Sequence, residues 1–192
     1  MKNIWNIGNI GKSLLMGAFI LSVAAPLMAR PAATEDQVIS DMNSTNAKVV
    51  YNALQNLEKQ YPTSVPGLTK VKSLVTDERA TVREKAARVL GALHAEVSDA
   101  DLQNICKLLD GSSKTEITEG LKALRGLKAQ STIPKIIPLL KNPDPFVKRD
   151  ACRTLAVLGD KSLIPDLQPL LQDTDPRVVK DANDAIFALN SK

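Results

Sequence analysis

The stretch Asp144–Asp160, DPFVKRDACRTLAVLGD, decides the fold, because Asp175–Ser191, DPRVVKDANDAIFALNS, says nearly the same thing thirty-one residues later. Each copy opens with Asp-Pro. That is an N-cap residue followed by proline in the first helical turn, where a missing N–H costs nothing. Each then places a small residue and two apolar ones at spacings of four and three: Ala151, Leu155, Leu158, and Ala182, Ile186, Leu189. These spacings put all three on one helix face. A stretch said twice at fixed spacing points to an array of helices.

The pattern extends upstream. Ala86, Leu90, Leu93 and Gly120, Leu124, Leu127 repeat it, with offsets of 34, 31 and 31 residues along the series. A degenerate copy is VYNALQNL, Val50–Leu57, and Val82, Val147 and Val178 carry the stripe one turn earlier. The small residue should let a neighbouring helix approach closely, with the larger two filling the space beside it.

A second motif alternates with the first. IPDLQPLL from Ile164 echoes IPKIIPLL from Ile133, with looser versions at Val65–Val75 and Leu102–Leu109. Pro134 and Pro165 suit a first helical turn. Pro138 and Pro169, four residues further in, should end that turn's hydrogen bonding and tilt the helix. Thr34–Gln37 (TEDQ) and Ser98–Asp101 (SDAD) read as capping boxes. No segment alternates long enough for a strand. Aromatic residues make up only 3% of the chain, which also favours helix over strand.

The expected fold is all-α: a solenoid of about four stacked hairpins plus a terminal helix. Helix pairs fall near 44–76, 78–110, 113–141 and 143–172, with a last helix at 174–190. Residues 30–43 make a linker and a short capping helix, and 44–192 the repeat domain. One such hairpin cannot bury its apolar face alone; stacking builds a continuous core.

DPFVKRDACRTLAVLGD together with LIPDLQPLLQD resembles HEAT-type repeats, in particular the short subclass seen in phycobilisome lyases. The resemblance covers 78–190 well and 44–76 weakly. It implies a right-handed α-solenoid whose second helices line a concave face, and a role in binding protein partners. Fold alone does not supply function.

Residues 1–29 read as a secretory signal. Lys2 and Lys12 form a basic start, Leu14–Ala25 an uncharged core, and Leu27-Met28-Ala29 a cleavage site, with the cut between Ala29 and Arg30. The uncharged run from Ser13 to Ala29 contains a proline and is shorter than the roughly 20 residues a bilayer span needs. Export to a periplasm or beyond, without stable membrane insertion, is the expectation. The chain has 25 basic and 21 acidic residues; losing Lys2 and Lys12 leaves 23 against 21. That excess is too small for a nucleic-acid footprint. Base-stacking chemistry lacks aromatics too, since the mature part offers only Tyr51, Tyr61, Phe146 and Phe187.

Catalytic, metal and cofactor residues find no candidates. His94, the sole histidine, falls at the carbonyl end of a first helix, where partial positive charge is favourable. The iron-binding His-Glu pairs of some HEAT-repeat hydroxylases have no match. Cys106 and Cys152 fall on different helices two units apart, beyond disulfide reach, and read as buried thiols. Two basic columns emerge from the repeat alignment. Arg88, Lys122 and Arg153 lie on first helices, broken by Asp184, with Glu119, Asp150 and Asp181 as neighbouring acids. Lys70, Lys107 and Lys135 lie on second helices, which the resemblance turns to the concave side. Both are candidate partner-binding columns.

The leading expectation is a non-enzymatic scaffold for a protein or peptide, needing no cofactor. An accessory enzyme or cofactor-handling protein related to HEAT-like lyases is the alternative. A structural part of an envelope assembly is a third.

Overall fold

Asp144 and Asp175 start helices as their sequence demands. The Asp144 carboxylate accepts the Phe146 N–H at 2.8 Å, and Asp175 accepts the Arg177 N–H at 2.8 Å. The turn before each is fixed the same way: the Asp144 N–H donates to Asn142 and the Asp175 N–H to Asp173, both at 2.9 Å. Asp77 makes this turn with Arg79 ahead of an earlier helix.

A computed structural model describes residues 32–192; the signal segment and its Ala29–Arg30 cut lie outside the described residues. The helices are α1 (Glu35–Asp41), α2 (Ala47–Gln60), α3 (Val65–Leu74), α4 (Ala80–Ala92), α5 (Asp99–Cys106), α6 (Lys114–Gly126), α7 (Ile133–Ile136), α8 (Pro145–Leu158), α9 (Ile164–Leu167) and α10 (Pro176–Asn190). No strand occurs among the described residues. The expected hairpins are α2–α3, α4–α5, α6–α7 and α8–α9. Helix α10 stands last, and α1 packs on α2 and α3. Ser98 and Asp101 form a complete capping box. Thr34 accepts the Gln37 N–H, but the Gln37 amide turns to Asp41 instead, so that box is half made.

The prolines act more strongly than a tilt. Helices α7 and α9 each last four residues and then tighten into 3₁₀ turns at Ile137–Lys141 and Gln168–Gln172. Pro138 and Pro169 have no N–H to return to the fourth residue back. Helix α5 makes the same change at Lys107–Asp110 without proline. The tightening therefore belongs to the position in the unit, and proline reinforces it.

The helices form two layers. In the first, α2, α4, α6, α8 and α10 each pack along the next. In the second, α3, α5, α7 and α9 meet one another only slightly. In a curved stack the more closely spaced layer is the inner one. First helices therefore line the concave side, which reverses the assignment implied by the family resemblance. Between the layers lies one core. Val82, Ala86, Leu90, Leu124, Val147, Ala151, Leu155, Val178, Ala182 and Leu189 fill it from the first layer, and Ile105, Leu108, Ile136 and Leu167 from the second. Leu93 and Leu127, the ends of the stripe in their copies, and Ile186, the middle member of the last, are only partly covered.

The closest helix approach falls off the predicted small-residue column. A Cβ on Gly126 would lie 2.3 Å from the Gly91 carbonyl oxygen, and one on Gly91 would lie 2.6 Å from the Ala123 Cα. These glycines let α4 and α6 touch backbone to backbone. Gly120, in the predicted column, faces Leu108 and Leu109 of the second layer instead. After α4, His94 adopts the left-handed region (φ 49°), and its imidazole Nδ1 sits 2.6 Å from the Gly126 carbonyl oxygen. His94 thus serves a helix carbonyl end, as expected, but the helix is its neighbour. Lys128 is left-handed at the equivalent place after α6. Gly159, the third member of that column, is not; side-chain room explains it, since a Cβ there would strike Leu163 at 2.1 Å.

Candidate functional site

The inner layer presents a row of charges built by the repeat. One position before each small residue stand Lys85, Glu119, Asp150 and Asp181; two after it stand Arg88, Lys122, Arg153 and Asp184. A separation of three puts the two rows side by side on each helix.

At the α8–α10 junction the row is fully paired. The Asp181 side chain is only 6% exposed. The Arg149 Nε donates to it at 2.7 Å and Arg153 reaches it at 3.0 Å. Two guanidiniums thus offset the cost of burying one carboxylate, and removing a partner from such a group is expensive. Arg153 also lies 3.6 Å from Asp150.

At the α4–α6 junction the same positions are differently filled. Lys85 replaces the acid, is buried, and donates to Glu58 of α2 at 2.5 Å. The Glu119 Oε1 accepts from Lys122 at 2.8 Å, but its Oε2 is buried with no hydrogen-bond partner. An unmet oxygen of this kind costs on the order of 1–3 kcal/mol. Arg88 does not reach it; its guanidinium makes a long 3.4 Å contact to the Tyr51 hydroxyl. Where α8 has Arg149, α4 has Glu84. Burial, and then the charges of Glu116 and Glu119, push the Glu84 carboxyl above its ordinary range. Tyr51, Glu84, Lys85, Arg88, Thr115 and Glu119 line a cleft of about 160 Å³ here.

The predicted columns therefore differ in kind. Arg88, Lys122 and Arg153 do share the inner layer, and Lys122 and Arg153 are held by neighbouring acids, while Arg88 is not. Lys70, Lys107 and Lys135 fall on the outer layer; Lys107 is tied to Asn104 at 2.9 Å. Sequence reading missed Glu116, which occupies the Val82–Val147–Val178 column. It is buried and held by the Arg83 Nε at 2.9 Å and Nη2 at 2.7 Å. Gly111 makes room, since a Cβ there would meet the carboxylate at 2.8 Å. The signal was available: an acid in a valine column, with a basic residue, Arg83, one place after the valine of the preceding copy.

Neither cysteine offers a nucleophile. Both are free and buried, and burial raises the Cys106 thiol and pushes the Cys152 thiol up to about 12. Among the described residues no three or more His, Cys, Asp or Glu side chains gather to hold a metal, and no helix is long and apolar enough to cross a membrane. Phe146 is half exposed, with Lys114 at 4.8 Å and Arg177 at 5.2 Å from its ring centre. Such contacts cover an apolar ring with charge.

Residues 102–189 match the family model for HEAT repeats. A search of curated proteins gives no match. The solved complex of CpcE and CpcF of phycocyanin lyase from Nostoc sp. PCC7120 is similar, at 21% identity over 87% of this chain and 69% of that one, with a TM-score of 0.73. An engineered protein is similar at 22% identity over 82% and 79%, with a TM-score of 0.65. So is a designed armadillo repeat protein in complex with the peptide (KR)4, at 17% identity over 80% and 81%, with a TM-score of 0.59. At such identities the likeness is one of fold. The paired helices and the two layers make the chain a helical repeat protein, and its residues 102–189 are similar to HEAT repeats.

Proposed function

We propose that the chain is a non-enzymatic scaffold that binds a protein or peptide on its inner layer, in the periplasm or outside the cell. The observation that carries this reading is the charged row on α4, α6, α8 and α10, which rests on helices packed directly against one another. A surface held in place this way loses little freedom on binding, so more of the contact energy appears as affinity. The similar designed armadillo repeat protein was solved with a peptide bound. Export rests on the reading of residues 1–29.

Selection of a random peptide display library on the purified chain tests the binding. Enriched sequences should lose affinity with Arg88→Ala and Lys122→Ala, and keep it with Lys107→Ala and Lys135→Ala. Enrichment that depends on the outer lysines would overturn the choice of face. A small molecule retained through purification, with no peptide enriched, would favour the accessory-enzyme or cofactor-handling reading. Amino-terminal sequencing of the extracytoplasmic protein should begin at Arg30.

A further inference from the structure

The repeat supplies its own control for the α4–α6 cleft. At the α8–α10 junction a buried acid, Asp181, is met by a guanidinium from two positions before the small residue of the preceding helix, Arg149. At α4–α6 the acid is Glu119, and the corresponding place holds Glu84. One carboxylate oxygen is left wholly buried without a partner, on a residue that lines a cleft of about 160 Å³. The cations already present are committed elsewhere: Lys85 to Glu58 at 2.5 Å, Arg83 to Glu116 at 2.7 Å, and Lys122 to the other oxygen of Glu119. Arg88 faces Tyr51 and leaves Glu119 unreached. Among the described residues no side-chain cation is ion-paired with Glu84, and none reaches the second oxygen of Glu119.

We propose that this cleft receives an arginine side chain of the bound polypeptide, whose guanidinium pairs with Glu119 and Glu84 in the way Arg149 pairs with Asp181. The proposal rests on the reading that the inner layer binds a polypeptide. A guanidinium suits it better than an ammonium, because two carboxylates can be met by one rigid fork of donors. The Tyr51 ring, which lines the cleft, offers the stem an apolar wall.

The test is an amide-resolved NMR titration of the full chain with N-acetyl-arginine methylamide. The citrulline counterpart, of the same shape but uncharged, is the control. Shifts should centre on Glu84, Arg88, Thr115 and Glu119, and citrulline should bind at least about tenfold more weakly, the effect of losing a charge-assisted pair. Glu84→Arg places the repeat's own guanidinium in the cleft; it should abolish the arginine shifts and raise the melting temperature. Glu119→Gln should weaken binding while the fold is kept. Equal binding of both probes, shifts centred on α8 and α10, or undiminished binding by Glu84→Arg would each overturn the proposal. If arginine fails while peptides are still selected on the inner layer, the cleft assignment falls and the scaffold reading stands. Arginine bound in the cleft with no peptide selected would sink the polypeptide reading and keep the cation site.

Discussion

The α8–α10 and α4–α6 junctions are built from the same repeat and solve it differently. At α8–α10 the rules are obeyed: valine in the valine column, an Asp-Pro start on both helices, and the buried acid clamped by two arginines. At α4–α6 a glutamate sits in the valine column, two glycines bring the backbones together, and a buried carboxylate oxygen is unmet. The departures gather at α4–α6, around Glu119 and the cleft it lines.

The largest expected break in this comparison is Gly126→Ala. The added methyl meets the Gly91 carbonyl, which cannot swing aside as a side chain could. We expect a loss of about 3 kcal/mol, the upper end for overpacking, measured by urea unfolding. Val157 occupies the matching place in α8 and is half exposed; Val157→Ala should cost under about 0.5 kcal/mol. Comparable losses would mean that the two junctions pack alike after all.

Next in size is the acid itself. Asp181→Asn removes the charge that Arg149 and Arg153 both serve, and should destabilise by about 1–3 kcal/mol. Glu119→Gln should be milder, since one of its oxygens has no partner to lose. The reverse order would argue that both oxygens of Glu119 are already met. Smaller again, Asp144→Ala removes an N-cap and should cost about 1 kcal/mol.

Acid should loosen the α10 turn gradually. The Lys148 hydrogen bond holds the Asp173 carboxyl below the usual range, and Arg177 holds Asp175 at about 2. A depressed pKa means the folded state binds fewer protons than the unfolded one. The stabilisation is therefore complete above about pH 4 and lost as pH falls through the folded value. The destabilisation by Asp175→Ala, read from urea midpoints, should shrink between pH 6 and pH 2. A constant difference would show that the ion pair contributes nothing.

Much of this molecule was legible in one sequence because repetition makes a sequence its own alignment. The Asp144 and Asp175 caps, the buried Ala151–Leu155–Leu158 face and the proline breaks all follow from local rules. What escaped depended on distance. Gly91 and Gly126 matter through a contact across two helices, and their spacing along the chain falls in different columns. The inner layer could not be chosen from periodicity, because both layers are amphipathic and only their relative spacing distinguishes them. The resemblance gave the architecture and the wrong face. Of the candidate site, Arg88 was found as one of a basic series, whereas its failure to reach Glu119 is a matter of side-chain geometry.

The short second-layer helices have a mechanical consequence. Helices α5, α7 and α9 are each broken after one or two turns, and neighbours in that layer barely touch. The first layer, by contrast, is continuous and tightly stacked. Such a body bends like a leaf spring: one face keeps its length while the other opens or closes at little cost. Curvature is then the soft coordinate of the array, and a bound chain can adjust the bend without disturbing the helices it touches.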